Sequence, residues 1–391
     1  MIHIEMKRIY NPVGEGSFCM ERFTVDETRY CFVFDCGSST SLNMKEGTSS
    51  IVSREIAFNF DEEEAIDAIF ISHFDREHMN GLEELLRKHP VKKLFLPFLE
   101  PESRLLMSFQ LKMEFSNESS FFAHLLMNHP MDLLQDKKYD IGQVVLVKEL
   151  GAGEAEVGRS VVDLEQVPES VLSGTLIQCR FGTDEVLWKF VLINFREENR
   201  IQRFRKEFHK KKIPVPKNVQ DANNLWVERY KEIMGILMDE LLENFNTNAL
   251  VVYSGKMTDR FDVEMRPVQD GKSFGTCRSF FRVRTGCMYM GDFGLEKRLQ
   301  WYRLKTIFGD EWDEISVWLL PHHGSAKYFR HEVAVHDAEL YIACAGVANT
   351  FQHPSRTVMR KLELTGKKVY WVDEEPENRV VFLYEFSSVD A

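Results

Sequence analysis

Four side chains able to bind a metal fall within six positions of this sequence: His73, Asp75, Glu77 and His78, in Ser-His-Phe-Asp-Arg-Glu-His-Met-Asn-Gly. In a loop, alternate residues such as His73 and Asp75 point to one side, while the neighbours Glu77 and His78 diverge. One such loop can therefore serve two ions. Imidazole with carboxylate suits zinc, and a larger carboxylate share suits manganese or iron. Two ions together polarise a phosphoryl or carbonyl oxygen and acidify water for attack on it. Two more polar clusters follow, Gly291-Asp292 and Pro321-His322-His323-Gly324-Ser325. A carboxylate at Asp292 could bridge two metals. Any one cluster alone is what a solvated loop, a turn or a helix cap displays. Three in order, each directly after an apolar run, are much harder to obtain by accident.

The elements that must position them are legible in outline. Ala68-Ile69-Phe70-Ile71 is a continuous apolar run, as in a strand buried on both faces, and it enters the His73 loop directly. Leu82, Leu85 and Leu86 recur at helical spacing, and Val91 to Leu96 reads as the next strand. Strand, polar loop, helix, strand is an α/β arrangement, with the loop at the strand's C-terminal end, where such folds place their sites. Cys31 to Phe34 is a strand closed by Asp35-Cys36-Gly37-Ser38. Further along, Leu105 to Leu134 reads as helical, Val144 to Val147 as a strand and Leu176 to Asn194 as a hairpin. Ala249 to Tyr253, Cys287 to Met290, Ser316 to Leu320 and Leu340 to Ala343 are short strands. A helix over Arg356 to Leu364, capped by Ser355, and a strand over Val369 to Val372 close the pattern.

Composition bounds the function. The 391 residues hold 49 Lys+Arg against 61 Asp+Glu, a net charge of −12, with 44% hydrophobic and 28% charged residues. That is the mix of a soluble globular protein, and it argues against bulk coating of DNA or of an anionic membrane. No membrane span or signal-peptide core is apparent. The seven cysteines are scattered without a Cys-x-x-Cys pair, as in a reducing, cytoplasmic setting. One stretch runs against the overall charge. Arg196 to Lys217 has nine basic and three acidic residues, a local +6, with Phe195, Phe204 and Phe208 alongside, which either could stack on bases or belong to a solvated helical face or loop.

The ordered set resembles the metallo-β-lactamase superfamily, most of all the hydrolase domain of DNA-uptake competence proteins. The resemblance rests on SHFDREHMNGLEEL, YMGDFG and LLPHHGS. It is extended by GEGSF near the start, by FVFDCGSS, by Asn246-Thr247-Asn248-Ala249-Leu250 and by AGVANTFQHPSRTVMRKLELTGKKVYWVD. It implies an α/β fold, an αββα sandwich of two mixed sheets flanked by helices. The superfamily domain would be split, with residues 1–97 and 245–391 as its halves and 98–244 as a large, mostly helical insertion containing a hairpin. It also implies two divalent metal ions, zinc or manganese. His73 and Asp75 would hold one, His78 and Glu77 the second, Asp292 would bridge and His323 would be the later ligand. Asp75, Glu77, Asp292 and His322 would be the catalytic group, with His322 as acid. Asp35 and Asn246 would sit behind the ligands. Asp75 stands where the wider superfamily has histidine, Glu77 where it has aspartate, and Asn246 near where many relatives have a histidine ligand.

The expected function is a metal-dependent hydrolase, a phosphodiesterase or nuclease using metal-activated hydroxide on a nucleic acid or nucleotide. Ser325, Asn349, His353, Arg203 and Lys210 are the expected substrate contacts. Two alternatives stay open: a peptide or acyl hydrolase working with a partner protein, or a non-catalytic subunit that recruits a partner through residues 98–244.

Overall fold

The computed structural model describes residues 3–40, 50–114, 117–151, 159–196, 198–217, 219–236, 249–257, 261–269, 272–273, 284–295 and 298–388. The first third supplies β1 (Ile4–Tyr10), β2 (Gly16–Val25) and β3 (Thr28–Ser38). Then come α1 (Ile51–Asn59), β4 (Ile66–Phe70), α2 (Arg76–Met79), α3 (Leu82–Lys88) and β5 (Val91–Pro97). β1, β2 and β3 pair antiparallel, whereas β3, β4 and β5 run parallel with Phe34 beside Phe70 and Phe70 beside Phe95. All five residues of β4 are buried, which is why Ala68-Ile69-Phe70 is apolar without alternation; Asp67, the one polar residue, accepts from Lys92 Nζ at 2.7 Å and from the Cys31 amide at 2.7 Å.

The middle third adds α4 (Pro101–Glu114), α5 (Asn117–Asn128), β6 (Ile141–Val147), β7 (Val161–Asp163), β8 (Ser170–Val171), β9 (Leu176–Cys179), β10 (Trp188–Asn194), α6 (Glu198–Lys210) and α7 (Val219–Ile236). This stretch, expected as a mostly helical insertion, is part of the sandwich as well as an addition to it. β6 and β8 extend the first sheet, and β7, β9 and β10 belong to the second. The reason is again burial: the apolar residues of β6 and β10 are covered by other layers. The helices α4, α6 and α7 share a separate cluster of Leu105, Leu106, Phe109, Phe204, Phe208 and Leu225. Phe204 is 3% exposed and Phe208 0%, so they cannot offer faces to bases, and Phe195 at 2% is equally buried in another cluster.

The last third gives β11 (Leu250–Lys256), β12 (Phe261–Gln269), β13 (Lys272–Ser273), β14 (Gly286–Tyr289), α8 (Arg298–Phe308), α9 (Asp310–Asp313), β15 (Ile315–Leu319), α10 (His331–Val335), β16 (Leu340–Cys344), α11 (Arg356–Leu364), β17 (Lys368–Val372) and β18 (Val380–Ser388). Ser355 caps α11, its side chain accepting from the Thr357 amide. β18 lies beyond the expected final strand and pairs with both β1 and β12.

Among the described residues the strands form two mixed sheets. The ten-stranded one has the order β13-β12-β18-β1-β2-β3-β4-β5-β6-β8, and the eight-stranded one β17-β16-β15-β14-β11-β10-β9-β7. One core fills the space between them, with Phe34, Phe70 and Phe95 meeting Phe190, Val252 and Tyr289. A second core lies between the larger sheet and α1, α3, α4 and α5. A third lies between the smaller sheet and α8, α9, α10 and α11. The layers are therefore helix, sheet, sheet, helix. The parallel strands β3 and β4 of the larger sheet, and β14 and β15 of the smaller, lead into the polar clusters at their C-terminal ends. No described helix is long and apolar enough to cross a membrane.

Candidate metal centre

Near the end of β3, Asp35 is held at a φ of 56°. Its carboxylate accepts from the Ser72 amide at 2.7 Å, from Ser72 Oγ at 2.8 Å and from His78 Nδ1 at 2.8 Å. β4 delivers Ser72 and His73, and Asp75 then opens the short helix α2, which carries Glu77 and His78. A Cβ on Gly37 would lie 2.5 Å from Met79 N and 2.6 Å from His78 C, so glycine is what lets α2 sit against β3. From the other sheet, β14 ends ahead of Asp292 and β15 ahead of the His322-His323 turn. His322 and His323 have φ values of 46° and 54°, and Gly324 follows at 81°. A Cβ on Gly324 would meet Pro354 Cβ at 2.9 Å. Left-handed backbone at two histidines is strain that the surrounding packing must hold, a common mark of functional turns.

The partners of each imidazole fix its orientation. His323 Nδ1 lies 2.8 Å from the Cys344 carbonyl oxygen, which can only accept, so Nδ1 carries the hydrogen. His78 Nδ1 donates to Asp35. Ser72 Oγ donates to Asp35 and so accepts from His73 Nδ1 at 2.9 Å. In all three rings Nε2 is therefore the inward atom, and in a neutral ring it bears a lone pair. These lone pairs face carboxylates, not donors. His78 Nε2 is 3.2 Å from Asp292 Oδ1, and His323 Nε2 is 3.3 Å from Glu77 Oε1 and 3.7 Å from Asp292 Oδ1. His73 Nε2 is 3.6 Å from Asp75 Oδ2 and 3.7 Å from Asp292 Oδ2, beyond hydrogen-bond range, and it is buried without a hydrogen-bond partner.

Lone pairs facing anions repel unless a positive charge lies between them. With protons alone as countercharge, the shifts follow that logic. Burial opposes charge on His78, yet Asp292 and Asp35 outweigh it and raise its pKa well above the usual value. Burial opposes charge on His323 as well, and Glu77 and Glu15 push it up to about 10. Burial works against ionised Glu77, but His323 draws it down to about 2. Asp292, buried and facing His322 and His78, lies well below the usual carboxylate range.

A metal ion meets the same need. Donors about 2.1 Å from a tetrahedral cation stand about 3.4 Å apart, close to the spacings here. Two donor sets each gather within 4.8 Å, Glu77, His78, Asp292 and His323 in one and His73, Asp75 and Asp292 in the other. Both could hold an ion, and Asp292, at 0% exposure, belongs to both. The six side chains expected as ligands are thus brought together.

The remaining expected residues divide. His322 Nδ1 lies 3.0 Å from Asp292 Oδ2, beside the ligands. The ring of His353 is 5.5 Å from that of His322 and 6.2 Å from that of His323. Asn349 clamps the His353 main chain, accepting from its amide at 2.7 Å and donating to its carbonyl at 2.6 Å. Ser325 is buried, and its amide closes the turn on the His322 carbonyl at 2.9 Å. Arg203 and Lys210 lie on α6, which packs on α4 and α7, and Lys210 pairs with Glu207. Asn246 lies outside the described residues.

Three supporting groups escaped sequence reasoning. Ser72 carried a signal, since it directly precedes His73. Glu15, which meets His353 Nδ1 at 3.0 Å, lies in the Gly-Glu-Gly turn. The Cys344 carbonyl is main chain and has no signature. Comparison with protein-family models finds no match, nor does comparison with curated proteins.

Proposed function

We propose that this chain is a metallo-β-lactamase-type hydrolase that cleaves phosphodiester bonds in a nucleic acid or nucleotide, using two divalent cations, zinc or manganese. The observation that carries the reading is the pair of donor sets meeting at one buried carboxylate, Asp292. Charge supports the number: Asp35, Asp75, Glu77 and Asp292 are four carboxylates, and two divalent cations match them. The order of the site segments along the chain and the helix-sheet-sheet-helix layering support the family. The Asp75 and Glu77 carboxylates keep manganese alongside zinc as the metal.

Such cations supply Lewis-acid hold on phosphoryl oxygens and acidify water at neutral pH. The chain's own residues do the rest. Asp35, Ser72 and the Cys344 carbonyl lock three imidazoles with Nε2 inward, so no reorientation is needed when substrate enters. His322 keeps Nδ1 toward Asp292 and offers its other nitrogen to the leaving oxygen as a proton donor. The test is turnover of single-stranded DNA, RNA and cyclic nucleotides by protein loaded with Mn²⁺ or Zn²⁺. Release of nucleotides that is lost in Asp292→Asn is the expected result. Metal-loaded protein that turns over no phosphodiester overturns the proposal.

A further inference from the structure

Beside the metal centre, the chain between β16 and α11 holds a large aromatic side chain in water. Phe351 is 71% exposed, yet its loop is pinned on both sides. Glu15 accepts from the Gly346 amide at 3.3 Å and meets His353 Nδ1 at 3.0 Å. Glu374 accepts from the Val347 amide at 2.9 Å. Asn349 ties its own turn to His353. The Phe351 ring lies 5.7 Å from that of His353 with 18° between planes, a stack with one face covered. From there a row of rings crosses the site: His353 to His322 at 5.5 Å, then His322 to Tyr328 at 4.5 Å. Lys327 ends the row, its Nζ 5.2 Å from the Tyr328 centroid.

A rigid aromatic with its second face open is a half-built stack, and a flat ring completes it. Two ring contacts separate Phe351 from the ligand His323, so a phosphodiester held at the metal centre presents its attached nucleoside to Phe351. We propose that Phe351 is the stacking platform for the nucleobase next to the scissile phosphate, and that the substrate is therefore a nucleotide or single-stranded nucleic acid. Bases inside a duplex have both faces covered by their neighbours and cannot add to the row. Lys327, at the far end, provides the cation suited to a neighbouring phosphate. This inference rests on the phosphodiesterase reading and specifies what that site selects.

The experiment is equilibrium binding to metal-loaded protein, which does not depend on turnover. The probes are adenosine 5′-monophosphate against ribose 5-phosphate, and a single-stranded oligonucleotide against its duplex and its abasic analogue. Wild type should favour each base-bearing, unstacked probe by about tenfold, the worth of one base on one aromatic ring. Phe351→Ala should erase that ratio and leave ribose 5-phosphate binding unchanged, and Phe351→Trp should restore it. Absence of base preference in wild type, no binding of either mononucleotide probe, or an equal loss for both probes in Phe351→Ala overturns the assignment. Base-dependent binding without phosphodiester turnover overturns the hydrolase reading and leaves Phe351 in place; turnover without base preference does the reverse.

Discussion

Arg8 and Glu21 lie at 0% exposure between the two sheets, and Asp292 lies equally buried at their edge. The first cluster carries its own countercharge. Arg8 donates to Glu21 at 2.8 Å, to Tyr384 Oη at 3.0 Å and to the Thr285 carbonyl at 3.1 Å. Glu21 also accepts from Ser254 at 2.6 Å and from Tyr289 at 3.0 Å. Cation, anion and polar neighbours are matched inside the protein. The edge cluster instead turns three Nε2 atoms toward carboxylates, those of His78 and His323 toward Asp292 and that of His73 toward Asp75 and Asp292. Both clusters carry the high cost of buried charge. The first is matched by its own guanidinium; the second sets imidazole nitrogens against carboxylates, an arrangement that could hold a metal ion.

The largest effect that would break this contrast is at Asp292. Asp292→Asn removes a donor common to both sets, so bound metal should fall at both, and turnover should fall about a thousandfold or more. Elemental content and initial rates measure it; retained metal and rate would show that Asp292 is merely a turn residue. The matched cluster should respond in the opposite sense. Glu21→Gln leaves the Arg8 guanidinium buried without its anion and should cost about 3–5 kcal/mol in denaturant unfolding. Metal content should stay as in wild type. The double change Arg8→Met, Glu21→Leu removes both charges and should recover most of that loss.

A smaller effect is expected behind the ligands. Asp35→Asn keeps the shape of the side chain but loses the full acceptor set that Ser72 and His78 use. Metal affinity should drop by about 10–100-fold, read by chelator competition, with thermal unfolding of the chelated protein little changed. Unaltered affinity would mean that packing alone, without Asp35, orients His78.

The two clusters also differ in how far they could be read from sequence. The candidate metal ligands lie in three short stretches, each at the end of an apolar run, so local pattern sufficed for them. α11 and its Ser355 cap are local for the same reason. Arg8, Glu21, Ser254 and Tyr289 stand singly in strands, and the bonded pair Glu21 and Tyr289 is 268 positions apart. Each looks like ordinary strand alternation until the sheets are stacked. β18 depends likewise on pairing with β1 at the other end of the chain. In the basic stretch, which includes helix α6, the base-stacking reading is the one burial sets aside. Ile201, Phe204 and Phe208 recur at helical spacing and are all buried. Their period marks a packed face of α6, a signal outweighed by the charge count.

A third buried polar group, His336, gives the finest test of the comparison. Its Nε2 lies 3.1 Å from the Trp312 carbonyl oxygen, and its Nδ1 accepts from the Ala338 amide at 2.9 Å and from Trp318 Nε1 at 3.4 Å. Nε2 therefore carries the hydrogen, both nitrogens are used, and the partners are neutral. Burial then lowers the pKa to about 4, the opposite direction from His78 and His323, whose neighbours are carboxylates. Between the unfolded value near 6.5 and this folded value, the unfolded chain binds the extra proton, so stability falls as pH falls. For these two values the loss from pH 7 to pH 5.5 is about 1 kcal/mol. His336→Gln can still donate and accept but does not titrate. With both proteins metal-saturated, wild type should lose about 1 kcal/mol more than the variant over that interval in denaturant unfolding. Parallel pH profiles would mean that His336 gains a proton in the fold as easily as in water. In that case burial with neutral partners would not be what separates it from the histidines at the metal centre.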